Sequence, residues 1–171
     1  ADQLIPWLAQ RYGVIVGNDA ALAPSASTMY LVEFSGDRTP FREDRPDSGF
    51  RGCFNSGHPI TGTFDQSIVF TFARTVDLAG KLPDKVTGTV LLRSTPAFYA
   101  ETDITTLMAS GRAMRSPDEK VGPLPMAVAV EMKTDTPVGD TGQTRYARIV
   151  VVGDSDFASN EQISTVPGNL N

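Results

Sequence analysis

Residues 145–160 read RYARIVVVGDSDFASN. Ile149, Val150, Val151 and Val152 form an apolar run of mostly β-branched side chains, the composition that fits a pleated strand. Gly153 ends the run, and Asp154 and Asp156 stand one residue apart at its exit. Acids at the carboxyl end of a strand are where α/β proteins place metals or catalytic groups. They are also where the next turn or helix finds its N-cap. Upstream, residues 126–132 (MAVAVEM) give a second strand. The connection KTDTPVGDTGQT has no helical period, and a parallel crossover would need a helix there. Residues 126–132 and 145–152 are therefore expected to form an antiparallel hairpin.

The rest of the chain supplies further pieces around that hairpin. Leu4, Trp7, Leu8 and Tyr12 recur at helical spacing over residues 3–12, with Asp2 as cap and Gly13 as stop. Strands are expected at 14–16, 29–34, 67–73 and 86–93, and Asp103 can cap a short helix carrying Ile104, Leu107 and Met108. Residues 35–57 are polar and turn-rich and read as a long surface loop. Within it Glu43, Asp44 and Asp47 alternate with Arg42, Arg45 and Arg51, the pattern of a solvated mixed-charge surface. Phe64, Phe70, Phe72, Phe98 and Tyr99 lie on or beside strands and are expected in the core.

With 171 residues and 40% hydrophobic content, the chain can bury one sizeable core, and no repeat or second domain is visible over 1–171. A net charge of −5 argues against nucleic acid and against docking on anionic lipid. A single cysteine allows no intrachain disulfide, and no apolar run reaches membrane-span length. The N-terminus, ADQLIPWLAQ, lacks the basic start and long apolar stretch of a signal peptide, and both ends read as cut from a longer chain.

Chemistry-bearing constellations are sparse. Cys53 and His58 sit five residues apart in RGCFNSGHP, and a thiolate–imidazole pair is a nucleophilic device. A strained nucleophile elbow needs an apolar strand before the cysteine and a helix after it, whereas this one lies between FREDRPDSGF and Gly57. Cys53 thus reads as a small filler. One histidine and no C-x-x-C make zinc improbable, and neither G-x-G-x-x-G nor a Walker lysine is present, so no cofactor is expected. His58-Pro59-Ile60-Thr61 reads as a lead-in to the strand at 67–73, with Ile60 anchoring the turn on the core. The GDSD acids read first as caps, worth ~0.5–2 kcal/mol at a helix N-terminus. If a ligand or partner site exists, its first candidates are Asp154, Ser155, Asp156, Asn160 and His58.

The order of RYGVIV, HPIT, LLRSTPAFYAET, GPLPMAVAVE and RIVVVGDSDFASN resembles the soluble domain of the gliding-motility-associated auxiliary component of uncharacterised ABC-type transport systems. The resemblance implies an α/β fold: a single-domain mixed sheet flanked by helices, similar to class I glutamine-amidotransferase-like and flavodoxin-like domains, here without its N-terminal strands. It also implies a membrane-anchored parent protein, with this domain on the outer face of the cytoplasmic membrane. Its partners would be transporter permease or ATPase subunits, another protein or a small ligand. No reaction, cofactor or catalytic residue comes with the resemblance. The expectation is a non-enzymatic binding module, and the alternative is a hydrolase-like or small-molecule- or carbohydrate-binding domain of the amidotransferase-like group.

Overall fold

The computed structural model describes residues 3–23, 31–34, 50–64, 66–138, 143–166 and 169. The expected hairpin is present and longer than the sequence suggests. Strand β10 (Pro125–Val138) pairs antiparallel with β11 (Gln143–Val152), placing Ala127 opposite Val152 and Glu131 opposite Arg148. On its other side β10 pairs antiparallel with β8 (Val86–Arg93), Glu131 facing Thr87 and Ala129 facing Thr89. The short hairpin of β4 (Phe50–Arg51) and β5 (Phe54–Asn55) completes a five-stranded sheet of order β11-β10-β8-β5-β4. That hairpin falls at the end of the segment read as an irregular loop, and residues 35–49, with the charged run Arg42 to Asp47, lie outside the described residues.

Alternation of side chains gives the sheet two different faces. On one, Val128 and Val130 of β10 and Val86 of β8 pack under helix α1 (Leu4–Tyr12) through Leu8 and Tyr12. Val14 of β1 (Val14–Val16) and Val76 of β7 (Val76–Leu78), an antiparallel pair, close the same layer. Each fully buried aliphatic side chain contributes ~1.5–3 kcal/mol, so this layer is a main source of stability. α1 ends at Gly13, whose φ of 68° supplies the left-handed cap expected there. Two members of the expected helix stripe, Leu4 and Trp7, are exposed instead, because the helix presents only its last turns to the sheet.

A second cluster gathers Phe54, Phe70, Leu91, Leu124 and Met126, and Phe70 sits on β6 (Ile68–Thr71), paired antiparallel with β3 (Leu31–Phe34). A third is built where β2 (Ala20–Leu22) pairs with β9 (Tyr99–Glu101) against Leu107 of helix α2 (Ile104–Ser110). The Asp103 carboxylate caps α2 by accepting the Thr106 N–H at 3.0 Å, as the sequence indicates. Helix α3 (Asn160–Thr165) follows β11 after a 3-10 turn at Asp156–Ala158.

The α/β class holds, with helices on a sheet. Every strand pair among the described residues is antiparallel, so the expected mixed sheet is corrected there to an antiparallel one. For β10 and β11 the physical reason is local, since the two are joined without the crossover helix that parallel pairing requires. Of the five expected core aromatics, Phe70, Phe98 and Tyr99 are buried, and Phe64 packs partly against the second cluster. Phe72 is exposed, because the chain turns out of β6 there with φ of 51°.

Candidate functional site

The other face of the sheet is open at one end. Thr87 and Thr89 of β8, Ala129 and Glu131 of β10 and Arg148 of β11 project from it side by side, as the cross-strand register requires. With His58, Pro59 and Ile60 on the rim they line a trough of about 530 Å³. Arg148 Nε donates to Glu131 Oε1 at 2.5 Å, and both side chains remain largely solvent-accessible. The guanidinium also lies 5.8 Å from the Tyr146 ring centroid. An exposed ion pair of this kind is worth ~0–1 kcal/mol to folding. The pair is thus dispensable for stability and available for recognition.

Ile60 belongs to two spaces at once. On its far side lies an apolar cavity of about 200 Å³ whose lining includes Phe54, Phe64, Leu91, Val152 and Phe157. Ile60 therefore stands between a polar trough at Glu131–Arg148 and an apolar recess that reaches Phe157. Ile60, 53% exposed, does not anchor its turn in the core as expected. Thr61 does so, buried, its hydroxyl donating to the Asn55 carbonyl at 2.7 Å. The turn is closed by the Thr61 and Gly62 N–H groups, both donating to the His58 carbonyl. His58 Nδ1 accepts the Ile60 N–H at 3.2 Å, which leaves the other ring nitrogen at the trough rim.

The GDSD acids are built differently. Asp154 is buried, its Oδ1 accepting the Asp156 N–H and its Oδ2 the Thr71 N–H, each at 2.7 Å. Burial pushes its carboxyl above the ordinary aspartate range, although the N–H groups of Thr71, Asp156 and Phe157 oppose that shift. This is a cap and a tie between β11 and β6. Asp156 and Ser155 are exposed, Ser155 Oγ donating to Asp156 Oδ1 at 3.3 Å. Asn160 is the exposed first residue of α3, and Ser159 rather than Asn160 caps that helix by accepting the Gln162 N–H. Phe157 tucks back, its ring centroid 5.2 Å from that of Phe70.

Of the sequence candidates, His58 alone lines the trough, and none of Asp154, Ser155, Asp156 and Asn160 lines either space. Thr87, Thr89, Glu131 and Arg148 were missed. For Thr87 and Thr89 the signal was available in VTGTVLLR, where the two threonines fall on one side of the strand and mark that face as wetted. Among the described residues no group of three His, Cys, Asp or Glu side chains is placed to hold a metal ion. None of the helices there is long and apolar enough to cross a membrane. Cys53 is 1% exposed.

A family model described as an ABC-type uncharacterized transport system matches residues 1–170. The chain belongs to this family. The match spans nearly its whole length, so the trough, the hairpin and the GDSD cap all fall inside the region the family defines. The family is that of an auxiliary component of such transport systems, as the order of sequence motifs implies. No curated protein and no solved structure matches the chain.

Proposed function

We propose that this auxiliary transport domain is a non-enzymatic binding module that engages a permease or ATPase subunit of its transporter through the trough on β8, β10 and β11. The observation that carries this reading is the exposed Glu131–Arg148 pair, set beside two threonines and a solvent-facing Ile60 on a rigid sheet. Such a face offers charge, hydroxyls and apolar area together, the mixture found at the rim and centre of protein interfaces. In the same reading the domain lies on the outer face of the cytoplasmic membrane, held there by a membrane-anchored parent, in a system serving transport or gliding motility.

A small polar ligand in the trough is the second reading, favoured by the apolar recess on the far side of Ile60. The hydrolase alternative has less support. The Cys53 thiol is shielded from solvent, and one imidazole nitrogen of His58 is already engaged by Ile60. The test is affinity capture of the intact transporter through the tagged parent protein. Arg148→Glu lowers recovery of the permease or ATPase severalfold while the melting temperature changes little. Recovery unchanged by Arg148→Glu and by Thr89→Arg would remove the trough as the binding face.

A further inference from the structure

Strand β9 has a neighbour besides β2. The Ala100 N–H donates to the Lys120 carbonyl at 2.9 Å and the Gly122 N–H to the Phe98 carbonyl at 2.6 Å. Tyr99 and Val121 form an antiparallel bridge between these segments. Two residues along each strand, that register sets Glu101 directly opposite Glu119. Like charges placed opposite one another across strands are destabilising, and these two are only 3% and 7% exposed.

The donors around the pair are divided unequally. Glu119 Oε1 accepts from the Thr102 N–H at 2.7 Å and from its hydroxyl at 3.0 Å, while Oε2 accepts the Ser116 N–H at 2.8 Å. Glu101 Oε1 accepts the Asp103 N–H at 2.8 Å. The two carboxyl groups are in hydrogen-bonding contact with each other, and Tyr99 bonds to Glu101. The titratable side chain facing the pair among the described residues is Tyr99, which carries no positive charge, and Asp103 meets it only through its backbone N–H. Two adjacent carboxyls that share a hydrogen bond need one proton between them.

We propose that Glu101 and Glu119 form a proton-sharing clasp that fastens the 116–122 segment to β9 and loosens as pH rises. The better-solvated partner, Glu119, is the carboxylate, and Glu101 holds the proton and donates it. Burial lifts Glu101 above the ordinary glutamate range. Burial works against the Glu119 charge too, but the Ser116 and Thr102 donors outweigh it and hold that carboxyl below the range. A raised carboxyl stabilises the fold at low pH and loses that contribution as pH climbs through its folded-state value. A depressed one contributes above the ordinary range and loses it on acidification. The clasp is therefore tightest in the mildly acidic interval between the two. Above it, two buried carboxylates face one another, and the segment carrying Arg112, Met114 and Arg115 is released from its anchor at Ser116 and Glu119.

Amide hydrogen exchange at Ala100 and Gly122, corrected for intrinsic rates and referenced to Val130, tests the clasp between pH 5 and pH 8. In the unaltered chain, protection at these two amides falls severalfold as pH rises. Glu101→Gln abolishes that slope, because its amide N–H₂ donates to Glu119 without a proton to lose. Glu119→Gln lowers protection at every pH, since one oxygen cannot serve both Thr102 and Ser116. Protection independent of pH in the unaltered chain, or an undiminished slope in Glu101→Gln, would overturn the proposal. Should the Gln variants not fold, carboxyl ¹³C titration of the unaltered chain decides. Glu101 ionising at higher pH than Glu119 supports the clasp, and two independent, ordinary titrations contradict it.

Discussion

Asp154 Oδ2 accepts the backbone N–H of Thr71 at 2.7 Å, joining the exit of β11 to β6 across 83 residues of sequence. The same carboxyl caps the turn that follows it, so one side chain serves two elements. Its acceptors are spent on backbone donors.

Removing those acceptors should leave buried N–H groups unmatched. Asp154→Ala is expected to lower stability by ~1–3 kcal/mol, and Asp154→Asn by less, since the amide keeps one oxygen. Because burial raises the Asp154 pKa, its stabilising contribution is full at low pH and declines as pH rises through the folded-state value. The Asn penalty should thus be larger in acid than at neutral pH, measured by urea denaturation at both. Stabilisation of the parent by calcium or magnesium, lost in both variants, would make the position a metal ligand.

Gly153 has a steric task. A Cβ there would stand 1.9 Å from the Arg74 carbonyl oxygen, which belongs to backbone and cannot rotate away. Its own N–H donates to Met126 and its carbonyl accepts from Arg74, so the strand cannot shift without losing both. Gly153→Ala should cost ~1–3 kcal/mol or more. Gly80→Ala, with nothing within 4 Å of the added carbon, should fall within ~0.5 kcal/mol of the parent. Thermal melts of the pair make the comparison.

Cys53 should react slowly with a thiol reagent in the native chain and at the rate of a free peptide thiol in denaturant, because it is buried in the second core cluster. Rapid stoichiometric labelling of the native chain, abolished by His58→Ala, would favour the hydrolase alternative.

Leu8 and Leu4 share one helix but not one environment. Leu8→Ala should destabilise by ~2–5 kcal/mol, whereas Leu4→Ala, on the exposed side, should be nearly neutral.

The hairpin was legible because its evidence is local: two β-branched runs and a connection without helical period. The helix at 104–110 was legible for the same reason, through its capping Asp103. Strands β2, β7 and β9 were not. Each has three residues, and a run such as Ala20-Ala21-Leu22, buried at every position, shows no alternation to read. Their pairing with β9, β1 and β2 is decided by distant contacts. The helix stripe was half misread, since Leu4 and Trp7 follow the helical period but extend past the sheet that covers Leu8 and Tyr12. The GDSD cap lies at a strand end, where the sequence marks it, while the trough lies in the middle of the strands. The Glu101–Glu119 contact depends on a register set 18 residues apart, which no spacing in the sequence reveals.

Binding through the trough is tested by a photo-crosslinking side chain placed at Thr89 in the parent protein, within cells that assemble the complete transporter, with Asp118 as an exposed control outside the trough. Docking there gives a covalent adduct between position 89 and an identified permease or ATPase subunit, weakened by Arg148→Glu and absent from position 118. Adducts forming from position 118 or from Ser155 at the strand exit, with none from position 89, would contradict it.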